Sequence, residues 1–174
     1  MAGDLKLKYA ASSSLTVTNL HSLASDQSWL GGWSSASISN TTDNHLDHLI
    51  AGTYTTHASN RQAGYINVYV VAALNDTPTW PAAASGTWGT EGAASFTDGE
   101  ERDSACRLLA SILADNSASA VYSFPPTSVA ALFGGRLPPA YAIFVSQNVA
   151  TTTTAGLAAS GSALYKTPVY AQYT

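Results

Sequence analysis

Charge is the scarcest property of this chain. Charged residues make up 10% of its 174 residues, where a globular domain typically has about a quarter. The seven basic residues, Lys6, Lys8, Arg61, Arg102, Arg107, Arg136 and Lys166, are scattered, and the formal net charge is −4. No basic stripe is available to neutralise phosphates, which argues against direct nucleic-acid binding. No polybasic segment and no apolar run of membrane-spanning length occurs, which argues against a membrane role. One cysteine, Cys106, excludes an internal disulfide. The opening Met1-Ala2-Gly3-Asp4-Leu5-Lys6 lacks the charged and apolar regions of a signal peptide, so synthesis in a cytoplasm without export is expected.

Catalytic and cofactor signatures are equally sparse. The chain has no H-E-x-x-H pattern, no G-x-S-x-G elbow and no phosphate loop around Gly31-Gly32 or Gly134-Gly135. His45-Leu46-Asp47-His48 is the most suggestive cluster. On a strand His45 and Asp47 would share a face, and on a helix His45 and His48 would be neighbours; neither completes a metal set. His21 and His57 stand alone. Cys106 reads as a small buried hydrophobe. Asp98-Gly99-Glu100-Glu101-Arg102-Asp103 lacks the spacing of a calcium loop and reads as a solvated turn. These residues predict no catalytic set, no cofactor and no metal.

What fills the chain is Ala, Ser, Thr and Gly, punctuated by short strand signals. Leu5-Lys6-Leu7-Lys8-Tyr9 alternates as a half-buried strand does. Further strands are expected near Ser13–Thr18, Trp33–Asn40 and Leu46–His57. Tyr65–Leu74 has the composition of a central strand buried on both faces. Cys106–Ala114 reads as a strand, Val121–Phe124 as one ended by Pro125-Pro126, and Tyr141–Ser146 as a second core strand. Ala163–Lys166 and Val169–Tyr173 read as a last strand pair. One short helical turn is expected near 128–134, stopped by Gly134-Gly135. The pattern predicts a single all-β domain over 1–174, an antiparallel β-sandwich of jelly-roll type.

Between these strands, Asn75–Gly99 reads as a long excursion, a length that usually marks a functional or docked segment. Its Trp80 and Trp88, with Pro78 and Pro81, are the candidate partner contacts. The two tryptophans are expected either to anchor the excursion on the sandwich or to meet a partner.

Three blocks carry a resemblance. The first is Leu5–Tyr9 with Leu15–Ser25. The second is Val68-Tyr69-Val70-Val71-Ala72-Ala73-Leu74 continuing to Trp80-Pro81. The third is Ser128–Gly135 followed by Pro138 and an apolar strand, with the close at Gly161–Ala171. Together they resemble small tailed-bacteriophage virion proteins. The resemblance implies a structural role without enzyme activity, and no functional residues carry over. It implies a virion component made in the host cytoplasm, with the major capsid protein or other virion subunits as partners and with homo-oligomers. A capsid decoration or cement protein is the leading expectation. A tail, collar or fibre module with a glycan- or host-recognition surface is the alternative, and a glycan hydrolase is the third.

Overall fold

Residues 4–151 and 153–173 are described by the computed structural model. Strands numbered in chain order form two sheets. The first runs β1 (Leu5–Tyr9), β12 (Ala163–Tyr173), β5 (Asp47–Thr55) and β10 (Val121–Ser128), with β2 (Ser13–Ser14) also on β12. The second runs β7 (Ala84–Gly86), β8 (Gly92–Phe96), β3 (Gly31–Ser34), β11 (Ala140–Gln147), β6 (Gly64–Ala72) and β9 (Cys106–Ala114), with β4 (Ile38–Ser39) also on β11. Every strand pairing is antiparallel. The expected all-β antiparallel sandwich is the fold.

Strand alternation builds the core. Ile50 and Tyr54 of β5, Leu164 of β12 and Phe124 of β10 face Ile66, Val68 and Val70 of β6 and Tyr141, Ile143 and Val145 of β11. The strand buried on both faces is β11, every residue of which is buried, whereas β6 exposes Tyr65. Ile143 and Val145 face the main core, and Phe144 points the other way into a second apolar cluster on the outer side of the second sheet.

Several boundaries differ from expectation, each for a local reason. β10 continues through Pro125-Pro126 to Ser128, because it is the sheet's edge and its register shifts between Phe124 and Thr127. β12 is one strand rather than a pair, and it runs through Pro168. The Pro168 carbonyl accepts from the Ala10 N–H, so the missing amide faces the gap between β2 and β1, where no ladder bond is lost. The Asn75–Gly99 segment is not a plain loop: it contains β7 and β8 and extends the second sheet. The acidic run is the short helix α1 (Gly99–Ala105), not a solvated turn. The Asp98 carboxylate caps it by accepting from the Glu101 N–H, as its first-turn acids favour. The expected helical turn is a 3-10 helix, Ala130–Phe133, stopped by Gly134 in the left-handed region.

The largest departure is β1. All five of its residues are exposed, not half-buried. Its register pairs Leu5 with Tyr173 and Tyr9 with Val169. β5 pairs with β12 only as far as Val169. Beyond that point the ladder of β12 continues with β1 alone, as a two-stranded terminal ribbon.

Candidate functional site

The candidate contacts of the excursion are placed first. Trp80 and Trp88 are half-buried on the outer face of the second sheet. Trp88 lies 5.5 Å from Phe144 and 5.1 Å from Phe96, ring centre to ring centre, and Trp80 lies 5.9 Å from Trp88. The Trp88 indole N–H donates to the Ser85 carbonyl at 2.9 Å. Pro81 is half-buried beside them and Pro78 is exposed. Asn75 closes the loop before Trp80: its side chain accepts from the Thr79 N–H and donates to the Thr79 hydroxyl. Gly89 sits at φ +85°, and a Cβ there would come within 2.9 Å of Trp80 Nε1. The tryptophans are thus loop anchors folded onto the sandwich.

Glu91, which no sequence signal singled out, ties the same excursion to the core. Its carboxylate accepts from the Trp33 indole N–H and from the backbone and side-chain N–H groups of Asn19, each at 2.6 Å.

The histidine cluster is the most polar part of the interior. His45 lies before β5, in a turn where Asn40 clamps it: the Asn40 carbonyl accepts from the His45 N–H and its amide donates to the His45 carbonyl. That turn brings His45 Nδ1 to 3.1 Å from His48 Nε2. His48 Nδ1 lies 2.8 Å from the Tyr141 hydroxyl, which comes from the opposite sheet. Asp47 turns away, and its carboxylate accepts from the Ala130 and His48 N–H groups. Burial, together with the nearby Lys166 and His45 charges, pushes the His48 pKa down to about 4. Burial pushes the Tyr141 hydroxyl well above its ordinary range. Both groups are neutral at pH 7, and the pair acts as a polar staple between the sheets. A shallow cavity of about 400 Å³ lies alongside, lined by Asp43, Asn44, His45, Leu46, Tyr170 and Ala171.

The remaining candidates are structural. Cys106 is buried, and burial pushes its thiol up to about 12, so it carries almost no thiolate at pH 7. Arg102 pairs with Asp103 at 2.7 Å and also donates to the carbonyls of Ser28 and Trp29. Among the described residues, no three His, Cys, Asp or Glu side chains are grouped to hold a metal ion. No helix among them is long and apolar enough to cross a membrane.

No protein-family model matches the chain, and neither a curated protein nor a solved structure does so.

The surface leaves large apolar side chains uncovered: Leu46, Leu74 and Tyr165 stand apart, and the others form two groups. Leu5, Leu7, Tyr9 and Tyr173 are exposed on the terminal ribbon. Tyr65, Leu108 and Leu113 are exposed where β6 meets β9, and Val121 on neighbouring β10. β1 is one edge of its sheet, and β10 and β9 are the opposite edges.

Proposed function

We propose that the protein is a structural component of a tailed-bacteriophage particle, a capsid decoration or cement protein that stabilises the head by subunit contacts and catalyses no reaction. The observation that carries this reading is the placement of exposed apolar side chains at opposite edges of one sandwich. A cement protein must hold two neighbours at once, and two separated contact surfaces give it that reach. Low charge reinforces the reading, because Ser, Thr and Ala surfaces are cheaper to desolvate than Lys and Glu surfaces.

Strand order adds support at the level of fold. Take the eight main strands in chain order as β1, β3, β5, β6, β9, β10, β11 and β12. One sheet then reads first, eighth, third, sixth, and the other reads second, seventh, fourth, fifth. We read this as a jelly roll with the β7–β8 hairpin added, an architecture that recurs in viral capsid domains. Fold alone does not fix function. The contact surfaces therefore carry the argument.

The alternative, a tail, collar or fibre module that recognises glycans, needs an open aromatic platform. Trp80 and Trp88 instead pack onto Phe96 and Phe144, which favours the cement reading. Quantitative mass spectrometry and cryo-EM of purified particles test the choice. Hundreds of copies per virion with density on the head are expected. A handful of copies, or a head without this density, overturns the decoration reading.

A further inference from the structure

We infer that the terminal ribbon is a self-association surface, on which the apolar face of β1 and the end of β12 packs against the same face of a second copy of this chain. The inference rests on the packing reading above only in treating the chain as a subunit; it names the surface and the partner.

The register defines the face. Residues directly opposite in an antiparallel pair share a side of the sheet, and alternate residues along each strand share it too. Leu5 pairs with Tyr173, Leu7 with Ala171 and Tyr9 with Val169, so one side of the ribbon is wholly apolar. Lys6 opposite Gln172 and Lys8 opposite Tyr170 make the other side polar. On the apolar side Leu5 is 64% exposed, Leu7 68%, Tyr9 67% and Tyr173 75%, whereas Val169 is 8% exposed, so the open face runs from Tyr9 to the outer end of the ribbon. A strand of five residues with three large apolar side chains in solvent is a poor monomer surface.

Stability makes the same demand. A two-stranded ribbon is marginal in water unless a third strand or a packed layer supports it. Past Val169 the ribbon has lost β5, and the Asp43–Leu46 turn adjoins it instead. A second layer on the apolar face would supply the missing support.

Area and charge select a second copy as that layer. The four exposed side chains offer on the order of 500 Å² per copy, near the upper end for a monomer patch. Mating two such faces buries about 1,000 Å², the lower bound of a specific interface. The face carries no charged group that would require an opposite charge on its partner, so a twofold axis can make it its own complement. Edge-to-edge pairing of β1 is the competing mode. Centred on Leu7, it would set Lys6 of one copy opposite Lys8 of the other, a like-charge contact that edge lysines commonly provide against such pairing.

Sedimentation equilibrium of the full chain tests this. The wild type is expected at twice the 18.0 kDa chain mass at micromolar concentration. Leu7→Glu should raise the dimer dissociation constant about 100-fold, because it places a charge at the centre of the mated faces. Lys8→Glu, on the other side of the ribbon, should leave it within about threefold. Circular dichroism checks that each variant folds, and Tyr9→Glu replaces Leu7→Glu if the latter does not. A wild type that stays monomeric to millimolar concentration overturns the inference. So does a Lys6→Thr/Lys8→Thr variant that dimerises tenfold more tightly, which would reveal edge pairing. A monomer that still binds phage heads overturns this inference and leaves the cement reading standing. A dimer absent from particles does the reverse.

Discussion

Of the apolar surfaces outside the main core, two are treated oppositely by the chain. On the outer side of the second sheet, Phe96 and Phe144 are covered by Trp80 and Trp88 from the chain's own excursion. On the terminal ribbon, Leu5, Leu7 and Tyr9 have no such cover and stay in solvent. The first surface was finished within the molecule, so its aromatics serve stability. The second is left open, so its side chains contribute little to the fold and are free to serve association. Aromatic content alone does not tell a contact residue from an anchor. What decides is whether the chain returns to cover it.

The largest effect expected on this contrast is at the covered surface. Trp88→Ala removes contacts with Trp80, Phe96 and Phe144 and should destabilise by about 3 kcal/mol in a denaturant titration. A pH scan should show that the interior sets acid sensitivity. His48 has a folded pKa of about 4, below the ordinary 6.5, so the unfolded chain binds the proton first as pH falls. Stability is therefore full above pH 6.5 and is lost between 6.5 and 4, by on the order of 2 kcal/mol after solvent screening is allowed for. His48→Gln should flatten that slope, while Leu7→Ala should retain it. Gly89→Ala combines a left-handed backbone with a contact on Trp80 and should cost about 1–2 kcal/mol. Leu7→Ala should change monomer stability by less than about 0.5 kcal/mol. A cost near that of Trp88→Ala would mean that the ribbon belongs to the core, and the contrast would fail.

Much of the sandwich was legible in short runs. β6, β9 and β11 carry β-branched and aromatic residues that pack on a pleated sheet, and the Ala130–Phe133 turn carries its glycine stop. Proline misled twice. Pro125-Pro126 read as a strand end, and the strand pair expected on either side of Pro168 is one strand; each proline sits where the lost N–H faces no ladder partner, a property of neighbours far away in sequence. The alternation of Leu5–Tyr9 indicated a strand and correctly separated apolar from charged sides. It could not say that Leu5, Leu7 and Tyr9 stay exposed while Val169 opposite Tyr9 is buried, because that depends on segments distant in sequence. The histidine cluster needed the Asn40 clamp to bring His45 to His48, and Tyr141 arrives from another sheet. Spacing along the chain contains neither fact. The sequence left Trp80 and Trp88 open between anchor and contact; their packing on the cluster around Phe144, which points outward from β11, depends on a strand far away in sequence.

The position of β12 also sets the order in which the molecule can be built. It stands between β1 and β5, and it follows β1 to β11 in chain order, so it leaves the ribosome after them. Until it emerges, β1 has no partner at all and β5 has only β10. The second sheet, whose strands all precede β12, can form first and close its aromatic cluster early. The first sheet must wait, with Leu5, Leu7 and Tyr9 exposed for the whole of synthesis. Lys6 and Lys8, alternating with them on the edge strand, are the residue type that disfavours edge pairing between chains before β12 arrives.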